Sequence, residues 1–102
     1  MPAKEISAYP PDGFELALIE RFVSLRRKRV LEIGCGDGRL TFQYAHQAAS
    51  VLAIEPDQAS IDEAIREQQL RRLEQVRFEN ASIEELPERG APFDVALFSW
   101  SL

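Results

Sequence analysis

The chain has few of the residues that build disulfides and metal sites. In 102 residues it contains one cysteine, Cys35, and one histidine, His46. A single cysteine cannot form an internal disulfide, which favours a reducing compartment, so we expect a cytoplasmic protein. One histidine and one cysteine do not complete the ligand set of a typical zinc site, so no metal is expected.

Long apolar runs and an excess of positive charge are also missing. No apolar run approaches the roughly 20 residues that cross a bilayer, and residues 1–7 contain no apolar segment typical of a secretory signal. No membrane association is therefore expected. Lys and Arg number 12 against 17 Asp and Glu, a formal net charge of -5. This sign disfavours broad contact with phosphates, so a nucleic-acid partner is not expected.

The composition that is present is that of one small globular domain, with 45% apolar and 28% charged residues. We expect a single unit over 1–102, with a polar lead and a helix in 1–29. Apolar residues recur in this part at helical spacing and predict a core-facing stripe that consists of Phe14, Leu18, Phe22 and Leu25.

Beyond residue 29, apolar strand patterns alternate with helical patterns. Strands are predicted at 30–34, 51–55, 76–79 and 93–100. Helices are predicted at 39–49 and from Asp57, the N-cap, to about Leu73, and a capping box of Ser82 and Glu85 predicts one further helical turn. Strands connected through helices pair in parallel, so we predict an α/β, doubly wound, mostly parallel sheet. The unbroken apolar runs at 30–34, 51–54 and 95–98 predict strands covered on both faces.

The loop after the first strand is the candidate ligand site. Gly34, Gly36 and Gly38 alternate there, which allows a tight turn and close approach of a ligand to the backbone. In open α/β sheets, ligands bind at the carboxyl ends of the strands, where this loop lies. The spacing is G-x-G-x-G, whereas dinucleotide-binding loops have G-x-G-x-x-G.

Two carboxylates flank the loop. Glu32 stands two residues before Gly34, where its charge would repel phosphate and attract a cation. Glu55 ends the second strand, the position from which an acid reaches ribose hydroxyls. The pair predicts an adenosine ligand that carries positive charge instead of phosphates. A nicotinamide dinucleotide is disfavoured by Glu32 and by the glycine spacing.

The segment 30–38 resembles motif I of the class I S-adenosylmethionine-dependent methyltransferases. Segment 52–57 is similar to their second strand, and 76–87 with 93–99 resembles their third and fourth strands. The subgroup it resembles is the small-molecule branch with the quinone-biosynthesis and type 11 enzymes. The resemblance implies a Rossmann-like sheet of order 3-2-1-4 in which 30–102 is the cofactor-binding half, the C-terminal strands of the family fold are lacking, and S-adenosylmethionine is the cofactor.

The resemblance also implies roles for individual residues. Glu32 would lie near the ammonium group of the cofactor, Glu55 would hold the ribose hydroxyls, and Pro56 would pack on the adenine. The family usually has Asp at the position of Ser82. The Ser82 hydroxyl would accept a hydrogen bond from the adenine amino group that is weaker by about 1 kcal/mol. The complete set of implied cofactor-binding residues is Glu32, Gly34, Gly36, Gly38, Glu55, Pro56, Ser82, Ile83 and Ser99.

Several alternatives stay open at this stage. Ser82 is equally well explained as a helix cap without ligand contact, and Cys35 as an inert spacer between glycines. No catalytic residue is identified. The segment after the fourth strand, 99–102, lacks the Asn/Asp-Pro-Pro-Tyr/Phe motif typical of amino-methylating relatives, which favours oxygen or carbon acceptors on small molecules.

Two functional interpretations follow from different classes of protein. The first is the cofactor-binding portion of a methyltransferase with an unknown small-molecule methyl acceptor. The second is a non-catalytic module that binds the cofactor or a partner. The fourth strand also offers an apolar edge, so homodimerisation or aggregation through that edge is expected.

Overall fold

The computed structural model describes residues 14–85 and 93–99; the predicted N-terminal lead and the end of the fourth predicted strand lie outside them. Strands and helices alternate along the described chain, as predicted. The elements are α1 (Phe14–Glu20), β1 (Arg29–Ile33), α2 (Thr41–Tyr44), β2 (Ser50–Ile54), α3 (Gln58–Arg71), β3 (Val76–Glu79), a 3-10 turn (Ile83–Glu85) and β4 (Val95–Phe98).

The four strands form one parallel sheet in the order β3-β2-β1-β4. The α/β class, the parallel pairing and the strand order predicted from the sequence are confirmed. The chain proceeds from β1 outward to β3 and then crosses back to place β4 on the other side of β1. The order therefore reverses beside β1, and open α/β sheets bind their ligands at such a switch point.

The hydrophobic core lies between one face of the sheet and the helices α2 and α3. The register places Val30, Val51 and Val76 in one row across β1, β2 and β3. Tyr44 of α2 and Ile61 of α3 belong to the same buried cluster. This packing removes the apolar face of the sheet from water, which is the main favourable contribution to folding.

The N-terminal helix buries a different set of side chains from the predicted stripe. Phe22 is 83% exposed and Leu18 is 47% exposed, whereas Leu25 is fully buried. Because α1 ends at Glu20, helical spacing no longer governs where Phe22 and Leu25 lie. The residues of this region that pack against the core are Leu16, Ile19 and Val23.

The strand β4 is covered on one face. Leu97 is buried, but its neighbour Phe98 is 74% exposed and Ala96 is also exposed. The prediction of strands covered on both faces is therefore wrong for β4. The physical reason is that α2 and α3 pack on the side of Leu97, and the described residues leave the side of Phe98 open to solvent.

The helix after the glycine loop is shorter than predicted, and the next helix matches its prediction. Helix α2 has four residues, although Leu40, Tyr44 and Ala48, which recur at helical spacing, are all buried. At α3, the carboxylate of Asp57 accepts a hydrogen bond from the amide of Ser60 at 3.1 Å, which confirms the N-cap. None of the helices in the described residues is both long and apolar enough to span a membrane.

Candidate functional site

The carboxyl ends of all four strands meet at one edge of the sheet, because the strands are parallel. The loop 34–40 follows Glu32 at the end of β1. Glu55 follows β2, Asn80 follows β3 and Ser99 follows β4. The fold thus gathers at one edge residues that are up to 67 positions apart in the chain.

The glycine loop needs its glycines for two different reasons. A Cβ added at Gly36 would meet no atom within 4 Å, so this glycine leaves open space beside the loop. A Cβ at Gly38 would come within 2.6 Å of the Phe42 ring, so this position admits no side chain. All three glycines adopt positive φ angles: 76° at Gly34, 58° at Gly36 and 91° at Gly38.

The loop directs its amides at acceptors within the protein. Three amides donate to backbone carbonyls: Gly34 and Cys35 to Ile54 at 2.9 and 3.0 Å, and Gly38 to Cys35 at 3.0 Å. The amide of Gly36 donates to the Glu55 carboxylate at 2.9 Å. Dinucleotide-binding loops direct such amides at a pyrophosphate, which a carboxylate at this place would repel. This geometry is consistent with an uncharged or cationic ligand.

Glu55 is held by backbone amides on both oxygens of its carboxylate. Oε1 accepts from Gly36, and Oε2 accepts from Asp57 at 3.0 Å. The backbone carbonyl of Glu55 accepts from the side-chain amide of Asn80 at 3.1 Å, which connects the ends of β2 and β3. Glu55 is buried but retains 9% exposure, whereas Glu32 has none.

Glu32 is fully buried, and its carboxylate accepts hydrogen bonds from side-chain hydroxyls. The Thr41 hydroxyl donates to Oε1 at 2.7 Å, and the Tyr44 phenol donates to the same oxygen at 2.6 Å. The hydroxyl of Ser99, after β4, donates to Oε2. Burying a carboxylate is costly unless charge-assisted hydrogen bonds satisfy it, so these three donors offset the cost of burying Glu32.

The same burial and charge act on two neighbouring acidic groups. Burial raises the pKa of the Tyr44 phenol, and the negative charge of Glu32 raises it further. Burial also raises the pKa of the Cys35 thiol, to which the charges of Glu32 and Glu55 add. Tyr44 therefore remains a hydrogen-bond donor, and Cys35 remains a thiol with little nucleophilic character.

The predicted adenine-binding residues lie just after β2 and β3. Pro56 is exposed, and Ile83 is 46% exposed. The Ser82 amide donates to the Glu85 carboxylate at 2.7 Å, which is one half of the predicted capping box. The other half is not formed, because the Glu85 amide donates to the Ser82 carbonyl at 3.0 Å and the Ser82 hydroxyl donates to the Glu85 carboxylate at 3.2 Å. Its hydroxyl oxygen acts there as a donor and keeps lone pairs that could accept from an amino group.

Three residues of the site were missed by the sequence analysis: Thr41, Tyr44 and Asn80. Tyr44 lies within the predicted helix 39–49, and nothing in the spacing indicates that its hydroxyl bonds to a carboxylate. Asn80 carried a usable signal, since it is a polar residue directly after a strand. Its side-chain amide also donates to the Pro56 carbonyl at 2.8 Å, so it orders the segment after β2.

A separate cavity of about 220 Å³ lies beside the loop and does not include Glu32 or Glu55. It is open and mixed in charge, and its lining residues are Asp37, Arg39, Phe42, Glu63 and Glu67. Within 14–85 and 93–99, no group of three or more His, Cys, Asp and Glu side chains is placed to hold a metal ion.

Comparison with known proteins identifies the family. A family profile described as a methyltransferase domain matches residues 30–102. The chain belongs to the methyltransferase domain family. The match covers β1 to β4 and the whole candidate site, and it confirms the class I S-adenosylmethionine-dependent fold and cofactor predicted from the motif.

Relatives of this methyltransferase domain agree with the assignment. The ubiquinone biosynthesis O-methyltransferase of Xylella fastidiosa is 39% identical over 97 residues, covering 91% of this chain and 37% of the relative. The YcgJ protein of Bacillus subtilis superposes with a TM-score of 0.72 at 25% identity, covering 81% of this chain and 36% of that one. A Listeria monocytogenes protein assigned as an S-adenosylmethionine-dependent methyltransferase superposes with a TM-score of 0.66 at 26% identity, covering 82% of this chain and 39% of that one. The chain thus spans 37% of the length of the curated relatives that it matches.

Proposed function

We propose that residues 30–102 are the S-adenosylmethionine-binding half of a methyltransferase that acts on a small molecule. The observation that carries this proposal is the pair of carboxylates, Glu32 and Glu55, beside a loop whose amides bond to protein acceptors. In the described residues, this site offers negative charge, and four amides of its loop are already bonded within the protein. S-adenosylmethionine is an adenosine whose ammonium and sulfonium groups outweigh its one carboxylate, so its net positive charge complements the site.

The contacts of the site support a division of roles along the cofactor. Glu55 borders the open edge at the end of β2, and we assign it to the ribose hydroxyls. The open space beside Gly36 would admit the ligand against the backbone. Glu32 is assigned to the ammonium group. The residues assigned to the remaining methionine part are Gly34, Gly38 and Ser99, and those assigned to adenine are Pro56, Ser82 and Ile83.

The bound cofactor would supply an electrophilic methyl group on its sulfonium. The chain contributes binding and orientation, because in-line methyl transfer gains much of its rate from holding the nucleophile at attack distance. We assign no proton-transfer role to the described residues, and Cys35 is unsuited to one because burial raises its pKa.

The acceptor that we propose is a hydroxyl group of a small molecule. The relatives in Xylella fastidiosa are named as O-methyltransferases, and the segment 99–102 lacks the motif of amino-methylating relatives. Incubation of the chain with labelled S-adenosylmethionine and matched phenol and aniline acceptors, followed by mass spectrometry, tests this. Any methyl transfer should go to the phenol, and methylation of the aniline alone would contradict the proposed acceptor.

Cofactor binding is tested by calorimetric titration with S-adenosylhomocysteine. We expect micromolar binding to the unmodified chain and loss of binding in Glu55→Ala. Glu74→Ala is the matched control, since Glu74 is an exposed carboxylate in the turn before β3 and should leave affinity unchanged. A folded chain that gives no heat of binding would contradict the proposal and favour the non-catalytic interaction module.

We also propose that the chain self-associates through β4. This strand is the outer one of the described sheet on its side, and Phe98 is 74% exposed on it. An unpaired strand with apolar side chains is a template for pairing with another chain. Light scattering should give a dimer that Phe98→Lys weakens, whereas Phe22→Lys, at another exposed phenylalanine, should not; a monodisperse monomer at high concentration contradicts this.

A further inference from the structure

The two oxygens of the Glu32 carboxylate have different surroundings. Oε1 accepts from Thr41 and Tyr44, which are both fully buried on α2. Oε2 accepts from Ser99, which is partly exposed where β4 reaches the edge of the sheet. One oxygen is therefore bound inside the core, and the other lies on the side of the candidate ligand site.

The three hydroxyl donors stabilise the charge of Glu32 without cancelling it. Hydroxyl groups are neutral, so a carboxylate that binds them can keep its negative charge. Two titratable side chains that interact with Glu32 are Tyr44 on α2 and Cys35 in the glycine loop, and burial raises the pKa of both. Both therefore remain neutral beside the carboxylate.

We propose that Thr41 and Tyr44 are positioning residues for cofactor binding, because they fix Oε1 and thereby present an ionised Oε2 to the ammonium group of the cofactor. This inference rests on the proposed function, in which Glu32 binds that group. It assigns a role in binding to two buried side chains of α2 that do not themselves reach the edge of the sheet.

Ser99 is the partner that changes its contact. Its hydroxyl moves by rotation about one side-chain bond, and the residue is partly exposed, so it can leave Oε2 or share it. Thr41 and Tyr44 have no such freedom, because both are enclosed in the close-packed core. The ammonium group would therefore take the place of the Ser99 hydroxyl while the two bonds to Oε1 persist.

Loss of a donor to Oε1 has a specific consequence. The charged form of Glu32 loses a hydrogen bond that stabilises it, so its pKa rises. Binding of the ammonium group then weakens at low pH and recovers as the pH increases through the raised pKa. A ligand without the ammonium group has no reason to respond, which separates positioning from a general effect on folding.

The test is a calorimetric titration of Tyr44→Phe, Thr41→Val and Thr41→Ser with two probes. S-adenosylhomocysteine carries the ammonium group, and 5′-methylthioadenosine shares its adenosine and thioether but lacks the amino-acid part. Tyr44→Phe and Thr41→Val should lower the affinity for S-adenosylhomocysteine about 10-fold, the value of one hydrogen bond to a charged group. Both should change the affinity for 5′-methylthioadenosine by no more than about twofold. Thr41→Ser keeps its hydroxyl, so its affinities should resemble those of the unmodified chain.

The pH profile completes the test. Between about pH 5 and pH 8, the affinity of Thr41→Val for S-adenosylhomocysteine should increase with pH more steeply than that of Thr41→Ser. Equal losses for both probes, or parallel pH profiles, would overturn the inference. Thr41→Val preserves the shape of the side chain, so the Thr41 pair decides the matter even if Tyr44→Phe fails to fold. An unmodified chain that binds neither probe would instead overturn the proposed function.

Discussion

Glu32 and Glu55 are the same type of residue at the ends of two neighbouring parallel strands, yet the protein holds them in opposite ways. Glu32 is fully buried and accepts from the hydroxyls of Thr41, Tyr44 and Ser99. Glu55 is 9% exposed and accepts from backbone amides that are close to it in the fold. Glu32 is thus built into the core, whereas Glu55 belongs to the loop that borders the site.

The difference teaches which changes each carboxylate tolerates. Backbone amides are present whatever the side chains, so the environment of Glu55 depends on the conformation of the glycine loop. The environment of Glu32 depends on the identity of three side chains from two other elements. We therefore expect Glu32 to control both stability and binding, and Glu55 to control chiefly binding.

The largest effect should come from neutralising the buried carboxylate. Glu32→Gln converts three charge-assisted hydrogen bonds into neutral ones and requires the Ser99 hydroxyl to accept instead of donate, at a cost of about 2–4 kcal/mol in the free energy of unfolding. Glu55→Gln should cost at most about 1 kcal/mol. Urea unfolding measures both, and equal losses would remove the distinction between the two carboxylates.

Substitutions at two glycines between the carboxylates should also differ in whether they affect stability or binding. Gly38→Ala should cost about 2–3 kcal/mol, because φ is 91° and the new Cβ would lie 2.6 Å from the Phe42 ring. That ring packs 5.6 Å from the Phe78 ring, with Arg71 on its face, so a shift of the ring toward the neighbouring cavity would disturb these contacts.

Gly36→Ala should cost less stability, about 1 kcal/mol for the left-handed backbone, because its Cβ would enter open space. The same methyl group would intrude where the ligand is proposed to lie, so affinity for S-adenosylhomocysteine should fall. Thermal unfolding and calorimetric titration of both variants measure the two quantities. Gly36→Ala with wild-type affinity would argue against a ligand beside this loop.

A double-mutant cycle sharpens the comparison further. Glu32→Gln removes the charge from the acceptor of one hydrogen bond and Tyr44→Phe removes its donor, so their effects on unfolding should be coupled by about 1–2 kcal/mol. Glu55→Gln shares no hydrogen bond with Tyr44, and the corresponding cycle should be additive within about 0.5 kcal/mol. Coupling of similar size in both cycles would show that the two carboxylates act as one network.

The smallest effect should come from a carboxylate at the surface. The Arg29 side chain and amide donate to Asp94 and lower the pKa of that carboxyl from 3.8 to about 2. The ionised form is thus favoured in the folded state, so the stabilisation is present above about pH 4 and is lost as the pH falls toward 2. Asp94→Asn should lower Tm slightly at neutral pH, and the difference from the unmodified chain should vanish in acid.

Much of the fold could be predicted because its signals are local. The apolar runs of β1 and β2, the N-cap at Asp57 and the glycine loop are each encoded within a few consecutive residues. Alternating strands and helices then restrict the topology to parallel pairing. The order β3-β2-β1-β4 was implied by the resemblance of the motifs to the class I methyltransferases, and the structure confirms it. The positions of Glu32 and Glu55 at the carboxyl edge follow from the same local pattern.

The partners of those residues were decided by tertiary packing alone. Ser99 and Glu32 are 67 positions apart, and nothing in either segment specifies that a hydroxyl of one would bond to the carboxylate of the other. The exposure of Phe98 and Phe22 could not be predicted from the sequence either. An apolar pattern shows which side chains gain by burial, but it does not show whether another element covers them. Local spacing selects the secondary structure, whereas the satisfaction of a buried charge depends on which distant elements meet around it.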